Sequence, residues 1–394
     1  MSIQYLINQV KNNPDLHIYD IGLSEYESPV ITGTQSFGSQ IFIIDQFQGK
    51  RPRLINSESI NSNTYSIHLI PTIILDSNIA SKLNNYYTNK IMKPDEKKAT
   101  EELLKWISKR NYDFSPFFYF IESIWKDSPI ESVIPTAASI LGLHAMNEKI
   151  FLETGDIVYK IETINHYYEQ YGSSSLEQCA QIMLSHIDKT TIQFYIPLIN
   201  ATYATLLKMV LIHKKNNAPF LEKLSEFEDF LYKDIGAKLS RESLVAAYYF
   251  ADLLGSMIGV QSNSKLENAK RNLKATAWDI FLLRMPELFL NPAHLPEMNV
   301  AYVCTAEKKL AEVGNLFEIE RLIYSSNTAI PMSQIMTSYD LLEKKIGVET
   351  VSNIFDLNEN ITKNYGITYN RFNEHNLKYL INDLEHQLSH LCRG

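Results

Sequence analysis

The hydrophobic pattern of the chain changes character three times along its length. Before residue 76, short runs rich in β-branched and aromatic residues, such as 40–44 and 64–70, alternate with stretches of Gly, Pro, Asn and Ser. Runs of this kind, bounded by turn-forming residues, predict β-strands. From about residue 95 to 285, apolar residues recur at spacings of three and four, which predicts α-helices almost throughout.

Strand character returns late in the chain and is then followed by helices. Residues 299–304 form an apolar run that ends at Thr305, and the pattern after Tyr324 predicts helices, the last of them amphipathic over 374–391. The fold predicted from these changes is an α/β core flanked by many helices, with a small N-terminal β-containing extension. The expected segments are the extension (1–70), the central domain with a helical insertion (71–324) and a C-terminal helical region (325–394).

Composition narrows the classes of protein that the chain can belong to. Its 394 residues are 45% hydrophobic and 21% charged, which is typical of a folded globular protein. The net charge of −8 disfavours a broadly basic surface, so a nucleic-acid partner would have to be bound by a local cluster of Lys and Arg. The three cysteines are far apart and match neither a zinc motif nor a disulfide framework, which indicates a reducing compartment.

Two further patterns bear on localisation. The first twenty residues lack the uninterrupted apolar core of a signal peptide. The longest apolar run, 67–75, is far shorter than the ~20 residues of a membrane-spanning helix. The sequence therefore predicts a soluble cytoplasmic protein that does not bind membranes.

The segment 73–78, Ile-Ile-Leu-Asp-Ser-Asn, is the strongest candidate for a functional position. It predicts a buried strand that ends at Asp76, with Asn78 two positions on. In open α/β sheets ligands bind at the carboxyl ends of the strands, where Asn78 could orient the Asp76 carboxylate or a water. An equal alternative is that Asp76 only caps the helix that follows, since Asp is a favoured N-cap.

Three other carboxylates lie in comparable settings. Glu122 shares its predicted helix face with aromatic residues, although an exposed pair with Lys126 explains it equally well. Asp279 has no Lys or Arg at helical spacing and would be either a metal ligand or a cap where one helix gives way to another. Glu307 follows Thr305, so an N-cap at Thr305 with an acid in the first helical turn is a strong alternative there.

Together the four carboxylates suggest a shared site. If the two strands are parallel neighbours, Asp76 and Glu307 lie at the same edge of the sheet, and the two helical carboxylates could converge on it. Clustered carboxylates repel one another, and Mg²⁺ or Mn²⁺ is the natural partner of such hard oxygen ligands. A cation held in this way can activate a water and stabilise the leaving oxygen of a phosphodiester.

The motifs at 75–78, 115–122, 278–280 and 305–307 occur in the order and context of the PIN nuclease superfamily, which the chain resembles from about residue 72 to 318. The resemblance implies a parallel α/β sheet and the activity of a metal-dependent ribonuclease. It implies that an acidic site for Mg²⁺ or Mn²⁺, which is also the catalytic site, is formed by Asp76, Glu122, Asp279 and Glu307. Asn78 and Thr305 would support that site.

The chain departs from the superfamily's pattern at three points. The long interval between Glu122 and Asp279 requires a large helical insertion, and Glu307 stands where the superfamily usually has Asp. Glu148, with apolar helical neighbours, is a rival for the position of Glu122.

The function expected from the resemblance is that of an endoribonuclease which cleaves single-stranded or loop RNA, as a bacterial toxin or defence effector. A protein inhibitor or companion subunit, and a homo-oligomer, are further expectations. The chief alternative is a non-catalytic PIN-like scaffold that binds a protein partner through its helical regions. A haloacid-dehalogenase-like phosphatase ranks low, because it would need a second Asp where Asn78 stands.

Overall fold

A computed structural model describes residues 3–23, 31, 33–62, 67–126, 128–187, 189–215, 217–255, 257–258, 260, 264–292, 295, 297–325, 328–365 and 374–392. It is a mixed α/β structure, and its chain forms two compact units. The first unit comprises Met1–Ile192 and Leu282–Met336, and the second comprises Gln193–Phe281 and Thr337–Gly394.

The first unit contains two sheets. A four-stranded antiparallel sheet has the order β4-β1-β8-β9, and a five-stranded sheet has the order β2-β3-β7-β5-β6. In the second sheet β5 pairs in parallel with both β6 and β7, while β3 pairs antiparallel with β7. The strands are β1 Leu16–Gly22, β2 Gln35–Phe37, β3 Ile41–Ile44, β4 Arg51–Ile55, β5 His68–Leu75, β6 Asp113–Ser115, β7 Glu297–Thr305, β8 Phe317–Ser325 and β9 Thr328–Thr337.

Helices surround these sheets. The helices of the first unit are α1 Ile3–Asn12, α2 Ser57–Asn61, α3 Ser77–Tyr87, α4 Pro94–Arg110, α5 Phe117–Trp125, α6 Ile130–His144, α7 Glu148–Thr154, α8 Ile161–Tyr171, α9 Leu176–Ser185, α14 Met285–Phe289 and α15 Lys308–Gly314.

The second unit is helical in the part of it that the structure describes. It contains most of α10 Lys189–Lys215 and of α13 Leu266–Leu282, with α11 Phe220–Phe230, a π-helical turn at Leu231–Ile235, α12 Ser240–Phe250, α16 Asp340–Ile346, α17 Val348–Tyr365 and α18 Glu374–Leu391.

The core of the first unit explains why β5 is central. The last five residues of β5 are all buried, as expected for a strand with neighbours on both sides and helices on both faces. One cluster of buried side chains includes residues of both sheets, among them Tyr19 and Leu322 of the four-stranded sheet and Ile73 and Tyr302 of the five-stranded sheet. The two sheets therefore share a hydrophobic core.

Several predicted elements are confirmed. The strand predicted at 299–304 is β7, which does end at Thr305, and the final helix spans Glu374–Leu391. The strand predicted at 40–44 is β3, whereas part of the run 64–70 lies outside the described residues.

The prediction of helices directly after Tyr324 was wrong, because the chain first forms β9 and becomes helical only at Asp340. The predicted boundaries after residues 70 and 324 do not coincide with those of the two units. Strands from before residue 70 pair with β7 and β8, so this part of the chain belongs to the same sheets as the central segment.

Among the residues that the structure describes, one helix is long and apolar enough to cross a membrane by length and composition. It is the part of α10 at Ile192–Lys214, with a mean hydropathy of 1.4 over its most apolar window. That window is 72% buried inside the protein, which is typical of the core helix of a soluble protein.

Gly314 is a position where the packing of the first unit leaves no room for a side chain. A Cβ there would lie 2.8 Å from Cγ2 of Ile44, which is fully buried, and 3.0 Å from Cδ2 of Leu283. We expect Gly314→Ala to destabilise the protein by about 1–3 kcal/mol, the usual result of overpacking a core. The matched control is Gly22→Ala, where a Cβ meets nothing within 4 Å. Equal melting temperatures for the two variants would contradict the prediction.

Candidate functional site

Asp76 lies at the carboxyl edge of the parallel strands. It directly follows β5, and its backbone N–H donates to the carbonyl oxygen of Cys304, near the end of β7, at 3.1 Å. The parallel pairing places Leu75 opposite Cys304, so the two strands end side by side. This position is the one predicted from the sequence.

The Asp76 carboxylate is held by three hydrogen bonds. Its Oδ1 accepts from the backbone N–H of Ile79 at 2.6 Å, which makes Asp76 the N-cap of α3. Its Oδ2 accepts from the hydroxyl of Thr305 at 2.6 Å and from the backbone N–H of Ala306 at 3.3 Å. Asp76 is therefore both the helix cap and a carboxylate at the sheet edge, so the two interpretations of the sequence are compatible.

The residues after β7 continue this network. The Thr305 hydroxyl also accepts from the backbone N–H of Glu307 at 3.0 Å, and Nδ2 of Asn78 donates to Oε1 of Glu307 at 3.3 Å. Glu307 itself is the N-cap residue of α15 and is exposed. The expected N-cap at Thr305 is thus displaced by two residues: the Thr305 hydroxyl accepts from the N–H of Glu307, and the helix begins only after Glu307. The part played by the Ala306 backbone was missed, since a backbone donor leaves no signal in side-chain chemistry.

Burial governs the electrostatics of Asp76. Its side chain is almost fully buried, with 6% of the residue exposed. Desolvation raises its pKa to about 6, against the opposing effect of the hydrogen bonds from Thr305, Ile79 and Ala306. The negative charge of Glu122 raises the pKa further, so Glu122 is close enough to interact with Asp76.

Glu122 is a buried carboxylate that forms an ion pair with an exposed lysine. It lies on α5 with 6% of the residue exposed, and its Oε1 accepts from Nζ of Lys126 at 2.5 Å. The Lys126 side chain is 45% exposed. The pair with Lys126 that the sequence predicted is present, but its acid is buried and not exposed as that interpretation assumed.

Asp279 lies in the second unit, three residues before the end of α13, and its side chain is partly exposed. It is inside the helix, so the alternative of a cap between two helices does not apply. Asp76, Glu122 and Glu307 belong to the first unit. The participation of Asp279 in their site stays a prediction.

Glu148, the rival of Glu122, has a different environment. It begins α7, and its Oε1 accepts from Nζ of Lys160 at 2.7 Å. Both side chains line a cavity together with Asp113, the first residue of β6. The charge of Glu122 contributes to the raised pKa of Asp76, whereas Glu148 lines a cavity with Asp113, at the amino end of β6. Which of the two glutamates belongs to the site stays a prediction.

The arrangement offers hard oxygen donors, although they are not preassembled around an ion. Across the described ranges, no group of three or more His, Cys, Asp or Glu side chains could already hold a metal ion. A carboxylate has about four acceptor positions, and Asp76 uses three, which leaves one on Oδ1. Oε1 of Glu122 accepts from Lys126, and that of Glu307 from Asn78.

Comparison with protein-family models, with curated proteins and with solved structures gives no match.

Proposed function

We propose that the chain is a Mg²⁺- or Mn²⁺-dependent endoribonuclease with a PIN-like core, which acts in the cytoplasm on single-stranded or loop RNA as a toxin or defence effector. The observation that supports this proposal is the fixed position of Asp76 at the carboxyl edge of the parallel strands. Glu122 acts on its pKa, and Thr305 links it to Glu307, which pairs with Asn78. In open α/β sheets, this edge is where ligands bind.

The donor set suits a hard divalent cation. Asp76 would supply the remaining acceptor position of Oδ1, and Glu122 and Glu307 would supply further carboxylate oxygens, as Mg²⁺ prefers. When bound, such a cation polarises a phosphoryl oxygen and lowers the pKa of a coordinated water. Asp279 would complete the set by the same chemistry, on the strength of the resemblance to the PIN superfamily.

The protein's own groups orient this site. The Thr305 hydroxyl and the Ile79 and Ala306 N–H groups hold both oxygens of Asp76, so the carboxylate cannot rotate. With a pKa of about 6, Asp76 is mainly ionised at neutral pH despite its burial. A carboxylate that is ionised, desolvated and fixed binds a cation more strongly than one in water.

The pairing of Lys126 with Glu122 favours the second candidate, a non-catalytic scaffold, because the buried carboxylate already has a cationic partner. Under the nuclease hypothesis Lys126 must release Glu122 when the divalent cation binds. Its side chain is 45% exposed, so the ammonium can move into solvent. Cleavage activity separates the two candidates.

We expect purified full-length protein to cleave end-labelled single-stranded RNA when Mn²⁺ is added and not when EDTA is present. Asp76→Asn should abolish cleavage, since the amide removes the negative charge while keeping the size of the side chain. Asp279→Asn, tested separately, should also abolish it if the second unit contributes to the site. The assay is the rate of product formation on a denaturing gel.

The matched control is Asp95→Asn, an exposed acid in the first turn of α4. This variant should cleave like the wild type, and circular dichroism should show that all variants are folded. Equal cleavage by the wild type and Asp76→Asn, or no Mn²⁺-dependent cleavage by the wild type, would reject the nuclease and leave the scaffold.

A further inference from the structure

A second cavity in the first unit lies away from the Asp76 edge. It has a volume of about 330 Å³. Its lining comes from the C-terminal ends of α4 and α6, the N-terminal end of α7, strand β6 and helix α8. Its size is at the lower end of the range for small-molecule sites. Asp113 begins β6, whereas Asp76 follows the carboxyl end of the neighbouring strand, so the cavity is independent of the proposed nuclease site.

The hydrogen bonding of His144 defines which of its ring nitrogens carries a hydrogen. Its Nε2 lies 2.7 Å from the carbonyl oxygen of Phe114, which can only accept, so Nε2 carries a hydrogen. Burial lowers the pKa of His144, with smaller opposing effects from Asp113 and Phe114, so the ring is neutral at physiological pH. Nδ1 is then an acceptor. The rings of His144 and Phe114 pack with their centroids 4.1 Å apart, which fixes the orientation of the imidazole.

Asp113 supplies a carboxylate without a hydrogen-bond donor of its own. Its side chain is 52% exposed, and Oδ1 lies 3.9 Å from Nε2 of His144, beyond hydrogen-bond distance. Among the residues that the structure describes, no hydrogen bond to this carboxylate is formed. Its negative charge is therefore uncompensated at the cavity.

Another part of the lining, formed by Glu148 and Lys160, carries no net charge and is fixed by backbone hydrogen bonds. Glu148 and Lys160 form an ion pair at 2.7 Å. The backbone N–H of Lys160 donates to the carbonyl of Ala145, and that of Asn147 donates to the carbonyl of Val158, both at 2.7 Å. Because the Glu148–Lys160 pair adds no net charge, the charged side chains that line the cavity sum to one negative charge.

We propose that this cavity binds a primary ammonium group carried on a short hydrocarbon chain. The carboxylate of Asp113 and Nδ1 of His144 accept the ammonium hydrogens, and the apolar side chains of Ile107 and Leu143 contact the hydrocarbon. The ligand is a simple amine or a free amino acid. Lys160 favours the amino acid, since its ammonium can bind a carboxylate while it keeps its pair with Glu148.

The test is calorimetric titration of the full-length protein at neutral pH with three probes: n-butylamine, leucine and butyrate. We expect the amine or the amino acid to bind and butyrate not to bind. Tighter binding of leucine than of n-butylamine identifies the amino-acid class, and the reverse identifies simple amines. Asp113→Asn should weaken binding at least tenfold, because it removes a charge-assisted hydrogen bond.

Two controls keep the result specific. Asp113 is half exposed, so Asp113→Asn should fold, which its melting temperature checks. Asp76→Asn should bind the probe as the wild type does, since Asp76 is outside the cavity. Absence of binding by both n-butylamine and leucine up to about 10 mM, the weak limit of small-molecule recognition, would overturn the proposal. Undiminished binding by Asp113→Asn would overturn it as well.

Discussion

Asp76→Asn is expected to remove a pH-dependent destabilisation of the protein together with the proposed activity. Desolvation raises the pKa of Asp76 from 3.8 to about 6, so ionisation of this group disfavours the folded state. Each pKa unit corresponds to ~1.4 kcal/mol, so the buried charge costs about 3 kcal/mol as an upper figure, and the variant removes this cost. Asn is as good an N-cap as Asp, so α3 keeps its cap, but the amide nitrogen in place of Oδ2 cannot accept the hydrogen bonds from Thr305 and Ala306. The loss of these two bonds opposes the gain, so the prediction concerns how the difference in stability changes with pH.

The difference in stability between Asp76→Asn and the wild type is expected to depend on pH in a defined direction. Between pH 3.8 and about 6 the folded protein holds a proton on Asp76 that the unfolded chain has already released. The stability of the wild type therefore falls as pH rises through this window, while Asp76→Asn lacks this contribution. The stabilisation by the variant should be small near pH 4 and complete above about pH 7.

Calorimetric unfolding of the wild type and Asp76→Asn at several values from about pH 4 to about pH 7.5 checks this dependence. The charge of Glu122 contributes to the raised pKa of Asp76, so Glu122→Gln should show part of the same effect, with Lys126 left to solvent. A difference in stability between the wild type and Asp76→Asn that stays constant over this pH range would show that burial of the charge does not destabilise the protein. A buried carboxylate that lowers stability is expected where function requires it.

The strand ends at the site could be predicted from the sequence because their signals are local. The last residues of β5 and β7 form continuous apolar runs, and each run stops at a polar residue, Asp76 or Thr305. Strands buried on both faces give this pattern. The parallel pairing then brings the two ends together, as the sequence predicted conditionally.

Other features depend on tertiary structure and left no clear local signal. Strand β9 contains Pro331 and alternates apolar with polar residues only in part, so its local pattern does not predict a strand. The division of the chain into two units could not be predicted from local patterns either. The second unit forms from Gln193–Phe281 and Thr337–Gly394, which are far apart in sequence. This is why Asp279, close in motif order to Glu307, belongs to a different unit.

Asp45→Ala is expected to destabilise the first unit strongly. The Asp45 carboxylate is completely buried in the turn after β3, and it accepts the backbone N–H groups of Gly33 at 3.0 Å, Phe47 at 2.9 Å and Gly49 at 2.7 Å. Both glycines have left-handed backbone conformations, with φ of 73° and 74°, so the donors converge only in this turn geometry. The hydrogen bond from Phe47 is buried and those from the two glycines are partly buried. A buried donor left without an acceptor costs ~1–3 kcal/mol, so we expect a total loss of about 3 kcal/mol.

The turn that Asp45 organises also joins the two sheets, which makes the effect long-range. The carbonyl oxygen of Gln46 accepts from the backbone N–H of Ile319 in β8 at 2.8 Å, while β3, just before the turn, pairs with β7. Loss of the turn should therefore loosen both sheets, and hydrogen exchange should accelerate at amides of β7 and β8 as well as at the turn. Asp45→Asn keeps one acceptor oxygen and should lose less stability than Asp45→Ala. Exchange confined to the turn, or a melting temperature like that of the exposed control Asp95→Ala, would show that the sheets do not depend on Asp45.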